Sequence, residues 1–194
     1  MASQKELVVI VATQMGIPIE TVTVIDRYLA EAGLRTRALR GRGYTPMTYQ
    51  DAANLIIATA WEANPKDAVQ HVKDFRSLEA LRVAEYAIAP NSLGQTFGDA
   101  LANSIESVPE HRAEFSAHDD DPGHMSLTVT MVRQSFGVSA DIVLLKDGVK
   151  NTFEYRRSYR SPEVKAPFSD LRRTAQFTQI TLGFVGEAIA DGMM

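Results

Sequence analysis

The sequence predicts an α+β fold, with a helical front and a β-containing rear, on three observations. From Gln4 to about Ser107 apolar residues recur at helical intervals, punctuated by Gly16-Ile17-Pro18, Asn64-Pro65 and Pro90-Asn91-Ser92-Leu93-Gly94. From Met125 the period changes to two, with Leu127, Val129 and Met131 alternating with Thr128, Thr130 and Val132. A Lys146-Asp147-Gly148 turn then joins Ile142–Leu145 to Thr152–Arg156, so three antiparallel strands are expected before a C-terminal helix. These changes divide the 194 residues into 1–63, a helical connector over 64–107, and a β-meander with a final helix over 108–194.

Ser3 followed three positions later by Glu6 is a capping-box pattern that opens the first helix. Leu7–Val11 is apolar on every side, and periodicity alone does not separate a buried helix from a buried strand there. The capping box and Ala12-Thr13-Gln14-Met15 favour helix. Gly16 ends it, and Pro18 suits the first turn of the next. A second helix over Ile19–Ala32 gathers Ile19, Val22, Ile25, Leu29 and Ala32 on one face. Glu20, Thr23, Val24, Arg27 and Glu31 lie opposite, with Thr21 flanking them. Gly33 closes this helix. Arg35, Arg37, Arg40 and Arg42 follow, with no acidic residue between Leu34 and Gln50. Gly41 and Gly43 flank Arg42 and suit a hairpin tip. The Arg35/Arg37 alternation and the return through Tyr44-Thr45-Pro46-Met47 fit two short strands.

Helix, tight turn, helix and basic hairpin are the outline of a winged helix-turn-helix. The run from Met15 to Gly43, with its LAEAGLRTR…GRG phrase, resembles the segment linking recognition helix to wing in winged-helix regulators. Such a fold has a further helix before these two; a helix over 49–62 is expected to supply that support. The resemblance implies that the second helix lies in the major groove of duplex DNA and that the wing meets the backbone. Thr21, Thr23 and Arg27 would then face base edges or phosphates, and Arg35, Arg37, Arg40 and Arg42 would displace counterions. Glu20 and Glu31 weigh against it, although Glu20 could accept from cytosine. The order of helix-turn-helix, central helices and β-containing rear is also similar to that of phage terminase small subunits. Either relation implies a homo-oligomer: a transcription regulator as a dimer, a packaging component as a ring.

Charge agrees with a basic head on an acidic body. Residues 1–50 carry six Lys and Arg against four Asp and Glu, a net of +2 in a chain whose net charge is −4. The acidic remainder could meet another protein. The chain has no cysteine, so disulfides and thiol chemistry are excluded. No apolar run is long enough for a membrane span and no signal-peptide pattern is present, so a cytoplasmic protein without membrane contact is expected.

Thr48-x-x-Asp51 opens another helix with Ala52, Leu55, Ile56, Thr59, Ala60 and Ala63 on one face, and Trp61 should pack. Asn64 caps a helix expected over Lys66–Ala89, with a break near Ser77. Phe97, Leu101 and Ile105 mark a shorter helix ending before Pro109. Thr174–Leu182 permits a strand, and Ile180–Ala190 favours the final helix, whose start is left open. Arg156, Arg157 and Arg160 with Tyr155 and Tyr159 form a second basic-aromatic patch, or an outward strand face.

No P-loop, GxSxG, GxGxxG after a strand, or CxxC occurs, so neither enzymatic activity nor a cofactor is expected. Two other readings stand beside DNA binding. One is a protein-interaction component whose arginines grip an acidic partner. The other is a metal-dependent enzyme using His111, His118, Asp119, Asp120, Asp121 and His124, though their spacing matches no metal motif and no metal is expected.

Overall fold

A computed structural model describes residues 2–37, 45–61, 64–81, 93–116, 123–134, 137–157 and 171–191. Its elements are α1 (Gln4–Met15), α2 (Ile19–Glu31), α3 (Tyr49–Thr59), a 3-10 turn (Pro65–Asp67), α4 (Ala68–Arg76), β1 (Glu79–Ala80), α5 (Phe97–Ser107), a second 3-10 turn (Val108–His111), α6 (Arg112–Ser116), β2 (Met125–Gln134), β3 (Gly137–Lys146), β4 (Val149–Arg156), β5 (Arg173–Thr178) and α7 (Gln179–Asp191). The α+β class is as expected.

The helical body is built around α3, the helix expected only as a support. Every residue from Asp51 to Thr59 is buried. A helix enclosed on all sides needs neighbours on all sides, and α1, α2, α4, α5 and α7 supply them. Its buried polar residues Asp51, Asn54 and Thr59 each make a hydrogen bond, although Asn54 Oδ1 has no partner among the described residues. Asp51 accepts from the Thr48 amide at 2.9 Å and the Thr36 amide at 2.7 Å. Asn54 donates to the Leu34 carbonyl at 2.7 Å, and Thr59 donates to the Leu55 carbonyl.

The Ser3/Glu6 capping box forms as expected, and Gly16 ends α1 in the left-handed conformation at φ 66°. Leu7, Val8, Val11 and Ala12 are buried, which resolves the β-branched run as helix. Val22, Ile25 and Leu29 of α2 are buried, but Ile19 and Ala32, expected on the same face, are exposed. They sit at the helix ends, beyond the reach of α1 and α3.

Residues 35–37 and 45–48 form no strand. The backbone groups a hairpin would pair are taken elsewhere: the Thr36 amide by Asp51, and the Met47 amide by the Ala2 carbonyl at 2.9 Å. Residues 38–44, with Arg40, Arg42 and the expected glycine tip, lie outside the described residues.

The helix expected over Lys66–Ala89 ends at Arg76, at the break expected near Ser77, and residues 82–89 lie outside the described residues. Glu79 and Ala80 pair with Arg156 and Tyr155 of β4, and the Leu81 amide donates to the Glu154 carbonyl at 2.8 Å. Leu78 is buried at this junction and Leu81 is exposed. Sheet pairing has overridden the helical spacing. Trp61 packs as expected, stacked on Phe75 with centroids 5.4 Å apart.

Five antiparallel strands, in the order β1-β4-β3-β2-β5, replace the three expected. The three expected strands are present at its centre, and β1 and β5 extend both edges. Asp147 and Gly148 have φ of 50° and 75°, the paired positive values of the tight hairpin between β3 and β4. Met125, Leu127, Val129 and Met131 of β2 point inward, and Ala140, Ile142, Tyr155 and Phe177 share that core. The same continuous cluster contains Leu7, Leu55 and Leu101 of the helical body.

Tyr155 is fully buried beside Phe97, with centroids 5.7 Å apart and no partner for its hydroxyl among the described residues. Burial, with the charge of Asp99 adding, pushes its pKa up to about 12. Tyr155→Phe removes an unsatisfied polar group while keeping the ring. It is expected to stabilise the protein by roughly 1 kcal/mol, and a lower urea midpoint for the variant would refute this account.

The C-terminal helix α7 leaves β5 without a loop and buries Leu182, Val185 and Ile189 against α1 and α5. No helix among the described residues is long and apolar enough to cross a membrane.

Candidate functional site

The outer face of α2 and the segment after it carry the residues singled out in the sequence. Thr23 and Arg27 are exposed and Thr21 is half-buried. The Thr23 hydroxyl donates to the Ile19 carbonyl at 2.7 Å, leaving its lone pairs outward. Arg27 lies 3.9 Å from Glu31 and stands over the Tyr28 ring, 5.6 Å from its centroid. An exposed pair at that distance holds Arg27 weakly, so its guanidinium is available to another acceptor.

Arg35 departs from its expected role. It turns inward and meets Asp26 at 2.6 Å, the two side chains being 11% and 2% exposed. Its Nε–H is not aligned with the carboxylate oxygen, so charge holds this contact. Asp26 also accepts from the Gln4 side chain at 2.8 Å. Burial pushes the Asp26 pKa above the ordinary carboxylate value, against the opposing pull of Arg35 and Gln4. Arg35 therefore fastens the chain after α2 to the core and is not presented to DNA.

Arg37 is exposed and donates to the Ala30 and Glu31 carbonyls at 2.7 and 2.8 Å. These are carbonyls left over at the C-terminus of α2, where a cation is favoured. A groove of about 450 Å³ runs along this face, with Thr23, Arg27, Glu31 and Arg37 on its walls and the Asp26–Arg35 pair at its base.

Sequence reasoning missed Asp26, although a signal was present. Asp26 stands four residues after Val22 and three before Leu29, on the buried face of α2. A carboxylate there needs a cation, and the arginine-rich run that follows supplies it.

The other sequence candidates are resolved as follows. Arg156 bonds to Asp141 at 2.6 Å, Glu154 at 3.3 Å and the Ala140 carbonyl at 3.0 Å, and Arg157 pairs with Asp74 at 3.4 Å. With Tyr155 buried, the second basic-aromatic patch is an internally paired strand end; Tyr159 and Arg160 lie outside the described residues. His111 faces Glu114 at 3.6 Å. No group of residues that could hold a metal occurs among the described residues, and His118 and Asp119–Asp121 fall outside them.

No family model, curated protein or solved structure matches this chain.

Proposed function

We propose that this protein binds duplex DNA in the cytoplasm as a homo-oligomer, through the outer face of α2 and the arginines after it, without a catalytic step. The observation that carries the reading is the latch formed by Asp26 and Arg35. It holds the start of the basic segment against α2, with Arg37 on the last turn of the helix. Arg37 is thereby presented on the same exposed side as Thr23 and Arg27. In this arrangement Arg37, Arg40 and Arg42 contribute phosphate contacts, while Thr21, Thr23 and Arg27 approach base edges.

Ile180 and Phe184 support association of copies. They stand one turn apart on α7 and are 61% and 43% exposed. A transcription regulator and a terminase-small-subunit-like packaging component both fit the reading. Light scattering on the full chain separates them: a dimer fits regulation, a closed ring fits packaging, and monomer mass alone contradicts the proposed assembly.

The test of DNA binding is titration of labelled duplex at several salt concentrations. Each lost phosphate contact lowers the slope of log K against log salt by about 0.9. Arg40→Ala with Arg42→Ala should therefore lower it by roughly 1.8 and weaken binding to all sequences alike. Thr23→Ala or Arg27→Ala should instead narrow the preference between target and random DNA, by up to about 1–3 kcal/mol for a bidentate arginine. If both sets leave binding unchanged in folded protein, this face is not the DNA contact.

A further inference from the structure

On the side of the molecule where α4 approaches the end of β2 and β5, a cleft of about 790 Å³ is lined by Trp61, Asp67, Gln70, His71, Arg133 and Arg173, with Thr174 at its edge. Its volume is that of a small-molecule site. Arg133 and Arg173 are directly opposite each other in the β2–β5 register. Like charges in that position repel and destabilise a sheet. Neither guanidinium has an ion pair or hydrogen bond among the described residues, whereas Arg35, Arg112 and Arg156 each have a carboxylate partner. His71 is 4% exposed, and its Nδ1 has no hydrogen-bond partner among the described residues. The Trp61 indole N–H is likewise buried and unpartnered, in a side chain 7% exposed. Such groups carry a desolvation cost that nothing among the described residues offsets.

We propose that this cleft binds a small phosphomonoester, its phosphate bridging Arg133 and Arg173. Two forked guanidinium groups on neighbouring strands match the several oxygens and double negative charge of a phosphate. Their repulsion becomes attraction to a shared ligand. Asp67 opposes an anion at its own part of the cleft, but its carboxylate can accept from hydroxyls, and Gln70, whose amide nitrogen donates to Asp74 at 2.8 Å, has its carbonyl oxygen as a further acceptor, so the ligand class is a sugar phosphate. Burial, with Arg133 adding, holds the His71 pKa below its usual value, against the pull of Asp67 and Asp74. The ring is thus neutral at pH 7 and offers one donor and one acceptor nitrogen.

Trp61 is the only tryptophan of the chain, so its fluorescence reports on this wall of the cleft. The experiment titrates the full chain with ribose 5-phosphate, inorganic phosphate, ribose and succinate, by fluorescence and by calorimetry. Ribose 5-phosphate should bind saturably and more tightly than phosphate, with ribose silent. Arg173→Gln, at an exposed position and relieved of the opposed charge, should melt no lower than the parent and weaken binding at least about tenfold, the scale of a lost charge-assisted contact. Arg133→Gln combined with Arg173→Gln should abolish binding. The proposal is overturned by absence of saturable binding in calorimetry, by unchanged affinity in the folded Arg173→Gln variant, or by succinate binding as tightly as ribose 5-phosphate. Displacement of ribose 5-phosphate by a short duplex would also overturn it, assigning the cleft to a nucleic-acid backbone. The Arg40→Ala/Arg42→Ala variant should bind ribose 5-phosphate like the parent, so failure here and failure of the DNA reading are separable.

Discussion

Gly186→Ala is expected to cost more than 3 kcal/mol of stability, above the roughly 1–3 kcal/mol typical of overpacking. A Cβ at position 186 would overlap the Ile105 carbonyl oxygen and come within 2.7 Å of Pro109 Cγ. The obstacle is backbone and a proline ring, neither of which turns aside by a rotamer change. The methyl group therefore has to push α7 off α5 and the Val108–His111 turn, exposing part of the core that Leu182, Val185 and Ile189 close. Gly183 on the same helix is the internal control. A Cβ there would lie 3.4 Å from Val108 Cγ1, ordinary contact, so Gly183→Ala should be neutral or gain up to about 1 kcal/mol of helix propensity. Urea unfolding of the two variants beside the parent decides it. Equal stability of both would mean that α7 does not approach α5 this closely.

Arg35→Ala is the second large effect, expected at about 3–5 kcal/mol because it leaves a buried carboxylate without its counter-charge. The loss should depend on pH in a direction fixed by Asp26. Its pKa is already raised above 3.8 by burial, so the folded state favours the protonated acid and ionisation costs stability above the folded pKa. Without Arg35 that pKa rises further. The deficit of the variant relative to the parent should be full at neutral pH. It should shrink as pH falls through the raised pKa of Asp26 towards the ordinary value, where both proteins carry the neutral acid. A deficit that stays constant from neutral pH down to pH 4 would contradict this assignment. Asp26→Leu combined with Arg35→Met should recover most of the loss, since apolar replacement of both partners leaves no charge buried.

Local chemistry made some elements legible before any coordinates. The Ser3/Glu6 capping box, Gly16, the Val22, Ile25 and Leu29 part of the α2 stripe and the Asp147-Gly148 turn each act within a few residues of themselves, and each formed as expected. The misses share the opposite property. Glu79-Ala80 became a strand only because β4 offers it an edge, whereas β5 (Arg173–Thr178) lies largely within the Thr174–Leu182 stretch whose alternation permits a strand. The wing strands failed because Asp51 and Ala2 compete for the Thr36 and Met47 backbone amides. At the sites, α2 displayed Thr23 and Arg27 by helical period alone. The cleft of His71, Arg133 and Arg173 is assembled by strand register between residues far apart in sequence, and no local motif announces it.

The anchors at Thr36 and Met47 have a consequence for how this molecule can change over generations. One end of the intervening stretch is fixed to the first turn of α3 and the other to Ala2, two residues before α1. A stretch fastened at both ends can be lengthened at a modest entropic cost, about 0.6 kcal/mol for each doubling. Its side chains can also be exchanged without disturbing the anchors, since both are backbone amides. Changes in the length of the chain between the two anchors therefore leave the anchors themselves in place, so this stretch can vary over generations while the starts of α1 and α3 stay fixed.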